Sequence, residues 1–231
     1  MTNSKSIKAI SLGAAVAAAM ASSVASAELT GNAAITNNYI WRGVTQTADQ
    51  AAGQGGLDYS FGPGLYVGTW LSNVDFSGLG DGYEMDVYAG IGGEAGSFGY
   101  DLGVISYQYP VTPNFNFTEV YASGTFSVVT VGIAYTVDAA SGNEGGVFDK
   151  GDMYVNGSLD FETKAGDISL YAGSYMFDND GGTAGDVDYI HYGASLGKGD
   201  FTFAVDKNDI DGGSADNVRF TVVWGKEFEL L

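Results

Sequence analysis

Ten charged residues fall on the polar side of alternating runs: Arg42, Asp58, Glu84, Asp86, Asp101, Glu119, Asp160, Glu162, Arg219 and Glu227. Eight are acids and two are arginines. Gly90, Gly103, Gly132, Ala134, Ser158, Ser169 and Gly173 share that side and leave room between them. Carboxylates lining a water-filled wall set a preference for cations. A lumen built from these faces would therefore favour cations. The alternative is a filled lumen, in which Arg42 and Arg219 pair with the acids and close the passage. Other chemistry is less well supported. Carboxylate pairs such as Glu84 and Asp86 could do acid–base work, but with 28 acids such pairs arise by chance. His191 and Ser195 would share a strand face about 13 Å apart, too far for the proton transfer that activates a serine. With 1 histidine and 0 cysteines, a multi-histidine metal site, a cysteine zinc site and a disulfide are excluded. Asp178-Asn179-Asp180-Gly181-Gly182, with Asp206, Asp209 and Asp211, invites a calcium reading. No glutamate closes the pattern, so a solvated acidic loop is the better reading. The Gly-Gly pairs at 55, 92, 145, 181 and 212 are turns or bulges, because no helix follows them. Neither an enzyme activity nor a cofactor is expected.

The elements that hold these residues are strands. Glycine contributes 36 of 231 residues, about twice the usual share, and each glycine inside a helix costs roughly 1 kcal/mol relative to alanine. The chain is 45% hydrophobic and 13% aromatic, too apolar to stay unfolded. Its net charge of −19 argues against nucleic acid as a partner. Alternation is plain in Val218-Arg219-Phe220-Thr221-Val222-Val223-Trp224, where Val218, Phe220, Val222 and Trp224 share one face. Twelve such runs lie near 29–41, 51–61, 65–74, 83–94, 98–108, 116–126, 129–138, 152–163, 167–177, 187–197, 200–207 and 217–228. Most approach the ~9–11 residues that a tilted strand needs to cross a bilayer.

Short and long connections alternate along the chain. Gly62-Pro63-Gly64, Ala95-Gly96-Ser97, Ser127-Val128, Lys164-Ala165-Gly166 and Lys198-Gly199 are tight turns. The other connections are longer. An even number of strands with short turns on one side and long loops on the other describes an outer-membrane barrel. A soluble sandwich would also alternate, but uniform strand length, loop rhythm and aromatics near both strand ends favour the barrel. Phe61, Tyr66, Phe98, Tyr100, Phe126, Phe161, Phe201 and Phe228 fall by the short turns. Tyr39, Trp41, Tyr83, Tyr107, Tyr154, Tyr175, Phe177 and Tyr189 fall by the long loops. Two interfacial girdles are expected from these groups.

Residues 1–27 read as a signal peptide. Lys5 and Lys8 precede an apolar stretch from Ile10, and Ala25-Ser26-Ala27 is a small-residue cleavage site. Residues 28–231 then form the barrel.

The segments Asn38-Tyr39-Ile40-Trp41-Arg42-Gly43-Val44-Thr45-Gln46-Thr47, Gln54-Gly55-Gly56-Leu57-Asp58-Tyr59 and Gly64-Leu65-Tyr66-Val67-Gly68-Thr69-Trp70-Leu71-Ser72-Asn73-Val74-Asp75-Phe76 carry a resemblance. They are similar to the Gcw_chp family, also called TorF family porins, of the proteobacterial envelope. The likeness is dense over the first three strands and rests farther on upon length and strand rhythm. Ala51 stands where the family pattern leads us to expect proline. Phe228 is followed by Glu229-Leu230-Leu231, whereas such barrels usually end on an aromatic residue read by the assembly machinery.

The expectation is a 12-stranded antiparallel up-and-down transmembrane β-barrel in the cell outer membrane. Its role would be passive diffusion of small cationic or neutral solutes. Its partners would be outer-membrane lipid, the barrel-assembly machinery and those solutes. The alternative is a non-conducting barrel acting as a structural or adhesive surface protein through its acidic loops. A soluble sandwich and a lipid-acting enzyme follow.

Overall fold

Alternation at a period of two gives each strand one apolar and one polar face, and the structure sorts those faces between outside and inside. It is a computed structural model that describes residues 27–76, 81–140, 148–178, 188–212 and 214–231. The expected leader lies outside the described residues apart from Ala27, as do residues 179–182 of the acidic loop.

The described strands are β1 (Glu28–Thr36), β2 (Ile40–Trp41), β3 (Val44–Thr45), β4 (Ala52–Ser60), β5 (Leu65–Asp75), β6 (Asp81–Ala95) and β7 (Phe98–Gln108). There follow β8 (Phe117–Phe126), β9 (Val129–Ala139), β10 (Met153–Glu162), β11 (Asp167–Met176), β12 (Tyr189–Lys198), β13 (Phe201–Asn208) and β14 (Arg219–Glu229). Twelve of them close a barrel in the order β1-β14-β13-β12-β11-β10-β9-β8-β7-β6-β5-β4. Closure is made where β1 pairs antiparallel with both β14 (Thr30↔Glu229) and β4 (Glu28↔Ser60). The remaining two, β2 and β3, pair with each other as a small hairpin.

Leu57, Leu71, Val87, Leu102, Val104, Val131, Leu170, Phe203 and Val222 are all exposed on the outer face. An apolar belt of this extent is foreign to a soluble monomer. In lipid it is the buried face, and closure pairs the backbone groups that hydrocarbon could not satisfy. The chain is therefore a membrane-spanning barrel of the outer-membrane type. The short turns fit the sequence. Gly64 has φ 82, and a Cβ there would run into the Gly92 carbonyl. Ser127 takes φ 58 in a two-residue turn without glycine.

The first run differs from expectation. It was expected to extend to Trp41, but β1 ends at Thr36. Asn37 supplies the reason. Its side chain donates to the Phe220 carbonyl at 3.1 Å and accepts from the Val222 amide at 2.6 Å, completing the ladder with side-chain atoms. Thr36 Oγ1 donates to the Asn38 carbonyl at 2.8 Å, and the chain turns off the wall. Residues 37–51 then fold inward.

Candidate functional site: a lumen plugged at its long-loop end

The interior divides into two halves along the barrel. The half near the long loops is filled by the segment 37–51. Its tip is the two-residue turn Arg42-Gly43 between β2 and β3, with φ 47 and 79. Two successive residues with positive φ are the primed-turn geometry that suits a tight hairpin. Arg42, Ala48 (φ 49) and Asp49 (φ 62) are non-glycine residues in this region, each at a cost of roughly 1–2 kcal/mol. The surroundings must hold them there.

They do so chiefly through Arg42. Its Nη1 donates to Glu119 Oε1 at 2.8 Å and its Nη2 to Glu119 Oε2 at 2.6 Å. This is the two-pronged match of guanidinium to carboxylate that lysine cannot make. The guanidinium carbon lies 4.2 Å from the Trp41 ring centroid, 4.2 Å from Tyr154 and 4.9 Å from Tyr175. Both partners of the ion pair are buried, at 6% and 1% side-chain exposure. Burial alone would push the Arg42 pKa down, but the Glu119 carboxylate holds it well above its ordinary value. Arg42 stays charged.

Neighbouring residues secure the rest of the segment. Asn208 Nδ2 donates to the Gly43 carbonyl at 2.7 Å. A Cβ on Gly43 would collide with the His191 ring, so glycine is required where the tip meets the wall. His191 Nε2 shares a 2.7 Å hydrogen bond with the Tyr154 hydroxyl. Trp41 meets Tyr107, Phe117, Phe148 and Tyr175 edge-on, with centroids 5.8, 6.1, 5.8 and 5.9 Å away. Tyr39 donates to Glu84 Oε1 at 3.1 Å, its pKa raised by burial and then by the Glu84 charge. At the base of the segment, Arg219 Nε donates to Asp49 Oδ1 at 2.7 Å, and the Asp75 amide donates to the Gln46 carbonyl at 2.8 Å.

The half near the short turns is built differently. Tyr66 donates to Asp101 at 2.8 Å and also pairs with the Tyr121 hydroxyl. Tyr88 donates to Asp58 at 2.5 Å. Ser158 and Ser169 each donate to Asp160 at 2.6 Å. Asp58, Asp101 and Asp160 are partly exposed. Between the halves, Tyr171 donates to the buried Asp206 at 2.7 Å.

The structure distributes the ten charged positions across this frame. Glu84, Asp86 and Glu119 are buried on the wall around the hairpin, and Arg219 is buried on the wall beside its base. Asp58, Asp101 and Asp160 belong to the short-turn half, where Glu162 and Glu227 are exposed near its mouth. Arg42 is not on a wall strand; the inward hairpin carries it. It pairs with the lumen acid Glu119, whereas Arg219 pairs with Asp49 of the hairpin. Among the described residues, no group of three or more metal-ligating side chains comes together.

The aromatic girdles need correction. Phe61, Phe98, Tyr100, Phe126, Phe161, Phe201 and Phe228 are exposed at the short-turn end, but Tyr66 is buried and points inward. At the long-loop end, Tyr83 is exposed, while Tyr39, Trp41, Tyr107, Tyr154, Tyr175 and Tyr189 are buried around the hairpin, with Phe177 packed against them. Among the described residues, the outward aromatics at that end are Tyr83, Tyr135, Tyr192 and Phe220. Strand parity marks the difference: Tyr154 alternates with Met153 and Val155 and so shares a face with Asn156 and Asp160.

Solved structures align with the chain at very low identity. A membrane protein from a study of in-meso crystallization aligns at TM-score 0.53 and 8% identity, over 87% of this chain and 83% of that one. A KdgM porin aligns at TM-score 0.48 and 8% identity, over 89% of this chain and 100% of that one. OpdK, an outer membrane protein of Pseudomonas aeruginosa, aligns at 0.41 and 11%, over 78% and 58%. No curated protein matches the sequence. The family model of Gcw_chp, described as a bacterial protein of unknown function, matches residues 18–229, and the chain belongs to that family.

Proposed function

We propose that the protein is a porin-like channel of the outer membrane for small cationic or neutral solutes, closed in the described state by residues 37–51. The observation that carries this reading is the contrast between the belt and the wall. Apolar side chains face outward, while the inner faces hold Asp58, Asp101 and Asp160 amid tyrosine and serine hydroxyls. A protein that needed only a stable barrel could fill its interior with apolar side chains at less desolvation cost. The excess of acids gives the passage its cation preference.

The test is current across a planar bilayer under a salt gradient. The protein and a variant with residues 38–50 replaced by a short Gly-Ser turn are reconstituted side by side. The variant should give sustained steps with a cation-selective reversal potential, and the parent rare or smaller ones. Insertion of the variant without current would overturn the reading. The dense aromatic packing around Trp41 favours the second reading, a permanently closed barrel acting through its outer loops. That reading would then stand.

A further inference from the structure

Among the described residues, the shortest ion pair joins the hairpin to the wall. Arg42 is held as a bound ligand would be: a carboxylate grips both guanidinium nitrogens, and aromatic faces cover the plane. The gripping groups belong to three different wall strands: Glu119 to β8, Tyr154 to β10 and Tyr175 to β11. Their backbones are anchored independently of the hairpin, because each sits in a ladder paired on both sides. We propose that this wall is a binding site for guanidinium-bearing solutes, and that Arg42 occupies it as an internal competitor. The inference rests on the channel reading and names its solute class.

Two features of the site select guanidinium over other cations. Glu119 accepts two parallel N–H groups, a pattern that a planar fork meets and an ammonium does not. The Tyr154 and Tyr175 rings offer π-faces to a flat, weakly hydrated cation. A free solute must displace a tethered rival. A short tether gives Arg42 an effective concentration in the millimolar range or above, so the parent protein should bind an added guanidinium less tightly than a variant lacking the Arg42 side chain.

The probe is methylguanidinium, with methylammonium as the control cation. Binding to the purified, folded protein in detergent is followed by calorimetry, and the heat-dependent shift on gels verifies that each variant is folded. Arg42→Ala should bind methylguanidinium at least about tenfold more tightly than the parent, and adding Glu119→Gln should remove about tenfold or more of that affinity, as expected for charge-assisted hydrogen bonds. Methylammonium should show no such dependence. Should Arg42→Ala not fold, Arg42→Asn serves, since asparagine tolerates the positive φ of the turn and removes the competing cation. Equal affinity in the parent and the Arg42 variant, or binding indifferent to Glu119, would overturn the proposal. Bilayer current is recorded separately. Binding without current in any variant would sink the channel reading while leaving the site. Current with no Glu119-dependent binding would keep the channel and remove the site.

Discussion

The two halves of the lumen are made from the same residue types and reach opposite ends. In the half near the long loops, Glu119 is neutralised by Arg42 from another part of the chain, and rings close over the pair. In the half near the short turns, Asp58, Asp101 and Asp160 receive neutral donors, hydroxyls and the Asn32 amide, in place of a guanidinium. A tyrosine beside Glu119 contributes its face, whereas a tyrosine beside Asp101 contributes its O–H. Carboxylate and tyrosine alone do not make a gate or a filter. What decides is whether a cation arrives on the chain itself or from solution.

That contrast can be broken at its strongest point first. Removing one partner of a buried ion pair costs about 3–5 kcal/mol, so Arg42→Ala should lower unfolding stability by roughly that amount, measured by urea titration in detergent. Pairing Arg42→Met with Glu119→Leu should restore most of the loss, because an apolar replacement of similar volume leaves no buried charge unpaired. If the double variant stays as weak as the single one, the grip is more than electrostatic. Next in size is the lipid face. Leu102→Arg near the middle of β7 should cost about 2–4 kcal/mol of folding stability in bilayers, read by the same titration in vesicles. The smallest change in stability should come from the short-turn half. Asp160→Asn should shift it by less than about 1 kcal/mol, since hydroxyl bonds are worth that order. Its reversal potential in a hairpin-less background should nevertheless move toward non-selective. A large stability loss without a change in selectivity would erase the distinction between the halves.

Much of the barrel was legible in the sequence, because a period of two is imposed by strand geometry and lipid enforces it on every strand. The alternation of short and long connections gave the strand count and the side on which each turn lies. The hairpin was not legible in the same way. Tyr39, Ile40, Trp41 and Arg42 alternate as a continued β1 would, with Tyr39 and Trp41 on the lipid side. The departure hinges on Asn37 bonding β14 with its side chain, a contact 183 residues away in sequence. Other signals were present and outweighed. Tyr107, Tyr154, Tyr175 and Tyr189 share parity with inward residues, yet proximity to strand ends suggested a girdle. The pairing of Arg42 with Glu119 spans 77 positions and had no local signature. The possibility that the two arginines meet acids was readable from their scarcity; which acids they would meet was not.

The central claim is that residues 37–51 close the passage and that their withdrawal opens it. Thr47 and Asp75 form a parallel bridge between the segment and the start of the next loop, and the chain has 0 cysteines to interfere. Thr47→Cys with Asp75→Cys therefore places one disulfide across the gate, within the Cα separation such bonds tolerate. Bilayer current is recorded from one preparation, first oxidised and then after a reducing agent. The account predicts no steps while the bond is intact and cation-selective steps once it is cut. Equal currents in the two states, at whatever level, would contradict it.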